Sequence, residues 1–299
     1  MKIDLFKLDE ANLTRFIRFS VMIGLSGIII TISVFLIKGH INFNDIDAQK
    51  LSAFGEFIGG FIGIFFTLAA TFLIWLTYKT QKQELEKTSS LAALQSKMLK
   101  TQQFENTYFS LLSHLSNLIN SMTSDSQVLI EPSFQGKEYL HHAYRRFKDK
   151  IKEKGQSNID NIKIASHTEE QRAELIKNVL VKIYEENIFP YHSFNLGHYY
   201  RFIHNIIKYV ISEYEDEKLQ RKYLTFLQAQ MSNDEMGFIL VNSLSKYSLD
   251  KNNNTKFKDW IDYYNILENI DKECTFDDSI LKIYFPKTDF YCLRKQSVV

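Results

Sequence analysis

The chain has 299 residues, 45% hydrophobic and 24% charged, with a formal net charge of +1. Those averages exclude a disordered chain and a binder driven by bulk positive charge. Two cysteines, Cys274 and Cys292, exclude a disulfide framework and a multi-cysteine zinc module. The distribution of charge also excludes a soluble enzyme with an average surface, because residues 19–37 and 57–78 carry no charged side chain at all.

At 1.5 Å per residue these two runs reach roughly 28 and 33 Å as helices, against a hydrocarbon core of about 30 Å. They predict a two-helix transmembrane hairpin. A cleaved signal peptide fits the first run poorly, because the run exceeds a signal's apolar core and no Ala-x-Ala-like site follows. Arg15 and Arg18 precede the first span, and Lys79, Lys82 and Lys87 follow the second. The connection holds two lysines beside Asp45, Asp47 and Glu56. Positive-inside bias therefore predicts cytoplasmic termini and a short external loop.

Small residues line both spans. Gly55, Gly59 and Gly63 recur every fourth residue in the second, and Ser20, Gly24 and Gly27 mark the first. Such lines let backbones approach closely in lipid. They predict either packing of the hairpin on itself or a homo-oligomer, with Glu56 at the outer mouth of a pore.

From Lys79 the second span is expected to continue as a helical stalk to Met122, without Pro or Gly. Leu94, Met98, Thr101, Glu105, Tyr108, Leu112, Leu115, Ile119 and Met122 form a coiled-coil-like seam, interrupted at Thr101 and Glu105. Residues 123–299 then read as a cytoplasmic α-helical bundle. Pro132 and Gly136 precede a basic helix, Glu138 to Lys154, closed by Gly155. Thr168 with Gln171 signals a capping box for a helix to about Asn187, with Pro190 after it. Further helices run from Ser193 to about Tyr214, Glu217 to Met231 and Met236 to Tyr247, the last capped by Ser232 and Glu235. After a turn at Asn252 to Asn254, Phe257 to Leu267 marks one more helix, and Ile280 to Phe285 is strand-like. The fold class is all-α: a cytoplasmic N-terminal segment at 1–18, a transmembrane hairpin at 19–78, a stalk at 79–122 and the bundle at 123–299.

No phosphate-binding glycine loop, dinucleotide fingerprint or nucleophile elbow occurs, so neither cofactor nor metal is expected. The basic stretch Arg145, Arg146, Lys148, Lys150, Lys152 and Lys154 is diluted by Asp149 and Glu153, and reads as a solvated face. At 100° per residue His198, Arg201 and Asn205 share one side of a helix, with His204 at its flank. This cluster, with Gln230 and Glu235, is the candidate ligand or partner site. His198, Arg201 and His204 would be the catalytic set of a membrane-tethered nuclease, the alternative reading, although nucleic acid is not the expected partner. Gln228, Gln230, Glu235 and Asn242 are polar residues in apolar helices and are placed to close a buried hydrogen-bond network.

Phe104-Glu105-Asn106-Thr107-Tyr108-Phe109 followed by Leu111-Leu112 resembles the opening signature of the putative phage abortive infection family, the AbiC-like proteins. The likeness continues at Gly197-His198-Tyr199-Tyr200-Arg201, at Tyr223 to Ser232, and at Glu235, Asn242 and Leu244-Ser245. It closes at Tyr264 through Leu267-Glu268-Asn269. Gln228 departs from it, where members carry an arginine. The resemblance implies bacterial antiphage defence, in which the infected cell stops growing or dies before phage mature, and implies no catalytic residue. The leading expectation is a membrane protein whose helical domain senses infection through a phage or host protein, while its hairpin oligomerises and perturbs the membrane. A scaffold that binds such a protein without killing is the further alternative.

Overall fold

A computed structural model describes residues 10–37, 48–124 and 134–294. Most of the expected external loop, with Asp45 and Asp47, lies outside the described residues, as does Pro132. The chain divides into two units, residues 1–100 and 101–299. Among the described residues every regular element is helical, and a single isolated bridge joins Thr123 and Gln135.

The first unit holds α1 (Glu10–Ile37), α2 (Ala48–Phe57), a π-helical turn (Ile58–Ile62) and the beginning of α3 (Gly63–Ser121). Two helices here are long and apolar enough to cross a membrane, Ala11–Ile37 and Leu51–Ser121, with mean hydropathy of 2.4 and 2.3 in their most apolar windows. Only 11% of each window is buried. A helix from a soluble core would bury most of that surface. Phe19, Met22, Ile29 and Ile30 are instead more than 60% exposed. Hydroxyls along both helices close on their own backbone: Thr31 on Gly27 O, Ser33 on Ile29 O, Thr67 on Gly63 O and Thr77 on Leu73 O. Such local closure satisfies these hydroxyls without water, as a hydrocarbon environment demands.

α1 runs antiparallel to the second helix. Phe16 stacks on Phe72 with centroids 6.3 Å apart, Ser20 Oγ donates to Phe65 O at 2.9 Å, and Phe35 meets Phe54 at 4.9 Å. In the π turn the Gly63 N–H reaches back to Ile58 O. Positions four apart advance by about 40° in an α-helix, so a four-residue repeat winds around it. The wider π turn takes up that drift. Phe54, Ile62 and Phe66 thereby all meet α1.

In the second unit the last turns of α3 belong to the core, through Phe104, Tyr108, Leu112, Leu115 and Ile119. Upstream, Leu94 and Met98 of the same expected seam are 59% and 65% exposed. The remaining helices are α4 (Lys137–Lys154), α5 (Gln156–Ile164), α6 (Glu169–Asn187), α7 (Phe189–Glu213), α8 (Glu217–Ala229), α9 (Asn233–Leu244), α10 (Lys256–Tyr263), α11 (Asp278–Tyr284) and α12 (Tyr291–Arg294). Both expected capping boxes form, Thr168 with Gln171 at α6 and Ser232 with Glu235 at α9. α9 is the central element, buried without interruption from Glu235 to Ser243 and packed by α4, α6 and α10. A helix apolar nearly all round has no other stable place.

Two local expectations are corrected. Ile280 to Phe285 is not a strand but α11, because Asp277 caps it by accepting from Ser279 N at 2.9 Å and the helix then packs on α6. Gly155 closes α4 as expected, yet it stays right-handed and the chain re-enters α5 at once. Its missing side chain serves close approach, since a Cβ there would lie 2.8 Å from Ile183 Cδ1 and 3.0 Å from Val179 Cγ1. Pro190 does not separate α6 from a later helix but sits in the first turn of α7, where its missing N–H would have had no helical partner.

Candidate functional site

α7 is amphipathic, and its two faces have different fates. Leu196, Tyr199, Tyr200, Ile203, Ile206, Ile207 and Val210 are buried. Tyr191, Phe194, His198, Arg201, Asn205 and Lys208, alternately three and four residues apart, are all exposed. Tyr191 and Phe194 show 74% and 79% of their surface. The His198 ring stands edge-on to Phe194, with centroids 5.4 Å apart. Arg201 Nε donates to Gly197 O at 2.9 Å, which lays the guanidinium along its own helix.

His204 faces another way. Its ring lies 5.2 Å from Trp260 and 6.0 Å from Phe257, against α10. Burial lowers its pKa first, while a hydrogen bond with Asn205 opposes the shift and Lys208 and Lys256 add to it. This shift favours the neutral imidazole. His198 and His204 thus occupy different settings, one on the open face and one wedged between aromatic rings. The pairing required by the nuclease alternative is not gathered around a common cleft. Among the described residues no group of three or more His, Cys, Asp or Glu is arranged to hold a metal ion.

Two further candidates separate in the same manner. Gln230 is exposed at the end of α8. Glu235 is 1% exposed and belongs to the interior. One of its oxygens accepts from Tyr199 OH at 2.9 Å, and the other accepts from Ser232 N at 2.7 Å. A carboxylate in the first turn of α9 also meets the positive end of the helix dipole. Beside this pair, Tyr184 OH donates to Asn242 Oδ1 at 3.2 Å and Tyr200 OH lies 3.2 Å from it. Burial, reinforced at Tyr199 by Glu235, holds the hydroxyls of Tyr184 and Tyr199 well above the ordinary tyrosine pKa, so they remain donors. Gln228 Nε2 donates to Asn265 O at 3.2 Å, tying α8 to the turn after α10. The buried tyrosines were not marked as network members by the sequence, since Tyr199 scans simply as an apolar-face residue.

In the first unit the small residues also divide. The Ser20, Gly24 and Gly27 line is used inside the hairpin: a Cβ on Gly24 would lie 3.0 Å from Phe66, and one on Gly27 would lie 3.7 Å from Ile62. Gly55, Gly59 and Gly63 have no atom within 4 Å of the place a Cβ would take. Glu56 is exposed beside them.

The comparison with family models meets the chain at this point. Residues 191–275 match the family described as putative phage abortive infection protein. The matched segment begins at the exposed aromatic end of α7 and takes in α8, α9 and α10. It contains the open α7 face and the Tyr199–Glu235 bond beneath it. No curated protein and no solved structure matches the chain.

Proposed function

We propose that this chain is an antiphage defence protein of the bacterial inner membrane, with both termini cytoplasmic. Its helical domain senses infection, and its hairpin oligomerises to perturb the membrane or arrest growth. The observation that carries the reading is the family match over 191–275, in a chain that also has two apolar helices with mostly uncovered surfaces. Positive charges flanking the spans favour the orientation, and Trp75 and Tyr78, 6.3 Å apart near the end of the second apolar run, suit an interfacial aromatic belt.

The division of the glycine lines supports oligomerisation through one face rather than two. Gly24 and Gly27 are occupied within the hairpin, which leaves Gly55, Gly59 and Gly63 for a second copy. Close backbone approach there would be driven by dispersion and weak hydrogen bonds in lipid. The experiment is disulfide trapping in native membranes, with native cysteines replaced. Gly59→Cys is expected to give cross-linked dimers, and Gly24→Cys is expected to give none. Cross-linking at position 24 but not at 59 would overturn the assignment of the oligomer face.

A further inference from the structure

We infer that the exposed face of α7 binds single-stranded nucleic acid, with Tyr191 and Phe194 stacking on bases and Arg201, Lys208 and Lys256 holding phosphates. The inference rests on the reading of the helical domain as the sensing part and names the chemistry it would sense.

Four observations carry it. First, α7 carries no Asp or Glu before Glu213 at its last position, so the stripe from Tyr191 to Lys208 meets no carboxylate of its own helix along its length. Second, Tyr191 and Phe194 are among the most exposed large side chains of the chain, at 74% and 79%, and lie one helical turn apart. Uncovered ring faces stack on any base, which gives sequence-tolerant attraction. Third, Arg201 and Lys208 follow along the same stripe, and Lys256 stands on α10. Among the described residues none of the three forms an ion pair with a carboxylate: Arg201 turns back on Gly197 O, and Lys256 Nζ rests 5.0 Å above the Trp260 ring. Lys208 and Lys256 both act electrostatically on His204, which places the α7 and α10 cations around one half-buried imidazole. Fourth, Asp250, the acid that feels Lys256, is turned into its own loop and accepts from the backbone N–H groups of Asn252 and Asn254 at 2.8 and 2.9 Å.

The stripe from Tyr191 to Lys208 is about 26 Å long at 1.5 Å per residue. Rings at one end and cations at the other, on an open convex surface, suit a strand of several nucleotides rather than an enclosed mononucleotide. Because the net charge of the chain is only +1, attraction is local to this face.

The test is fluorescence anisotropy of labelled oligouridine with the full-length protein in neutral detergent. With three phosphate contacts the slope of log K against log salt is expected near −2, so a rise from about 50 to 200 mM salt weakens binding roughly fifteenfold. Replacing Arg201, Lys208 and Lys256 together by Gln is expected to weaken binding at least about tenfold and flatten the slope. Tyr191→Ser with Phe194→Ser is expected to weaken it about tenfold with the slope unchanged. All these positions are exposed, and unaltered thermal unfolding confirms that the variants fold.

Absence of oligouridine binding, or binding indifferent to both sets of substitutions, overturns the proposal. Binding of polyglutamate in place of oligouridine, with the same residue dependence, also overturns it and makes the face an acidic-peptide site. Phage protection by the same variants separates the two levels. Protection lost without any oligonucleotide binding refutes the nucleic-acid ligand but leaves the face as the sensing surface. Protection retained while binding is lost refutes the sensing role of the face.

Discussion

Removing the Tyr199 hydroxyl is expected to cost the fold more than one hydrogen bond ordinarily contributes. The bond from Tyr199 OH to Glu235 is 2.9 Å long and its partner carboxyl is 1% exposed, so no water replaces it. A hydrogen bond to a charged group contributes about 1.5–3 kcal/mol, and a buried acceptor left unpaired incurs its desolvation cost. Tyr199→Phe should therefore destabilise by about 2 kcal/mol. For a folded unit of this size each kcal/mol corresponds to roughly 2–4 °C, so the melting temperature should fall by about 4–8 °C. Glu235→Ala should cost more, because it also removes the carboxylate half of the α9 capping box and strands the tyrosine hydroxyl. The double variant should be milder than the sum by about 1–2 kcal/mol, since neither partner is then left alone. Thermal unfolding of the detergent-solubilised protein, followed by near-ultraviolet circular dichroism, measures all four species. A Tyr199→Phe change below about 2 °C, or strict additivity in the cycle, would refute the buried-pair reasoning.

Three further outcomes follow from the packing. Gly237→Ala should destabilise by about 1–3 kcal/mol despite better helix propensity, because a Cβ there would overlap the hydroxyl and ring of the fully buried Tyr144; an unchanged melting temperature would show that this ring can move freely. Gly155→Ala should also destabilise, by about 1–2 kcal/mol, through Ile183 and Val179, with the same measurement as the check. His192, whose pKa burial pushes down to about 4 with a contribution from Arg146, has its Nδ1 2.7 Å from Tyr139 OH. Its neutral form stabilises the fold fully above pH 6.5, and that contribution is lost as pH falls toward 4, by up to about 3 kcal/mol. His192→Phe should remove this component from the stability–pH curve, and an acid limb equally steep in both proteins would contradict the assignment.

Much of the architecture was legible because it rests on local rules. Two charge-free runs, two capping boxes and the glycine-bounded limits of α4 each require only neighbouring residues to be read. What failed to show depends on distant partners. Gly155 signals a helix end by its identity, yet Val179 and Ile183, far along the chain, decide why a glycine stands there. Ile280 and Leu281 look like strand until the cap at Asp277 and the surface of α6 are both present. The candidate site was legible as a periodicity but not as a surface. The 100° spacing places His198, Arg201 and Asn205 on one side, whereas the separation of His204 needed α10 in place. Glu235 and Gln230, grouped in the sequence as polar residues of apolar helices, differ in exposure because α8 ends before Gln230 while Glu235 folds under α7.

The central claim, that infection is converted into a membrane event through the hairpin, is tested most directly by following membrane potential with a voltage-sensitive dye in infected cells. Cells expressing the unaltered chain should depolarise after infection and before phage mature, while cells expressing Gly59→Leu should hold their potential and lose protection. Depolarisation and protection both persisting in Gly59→Leu, with its oligomer intact, would contradict the account.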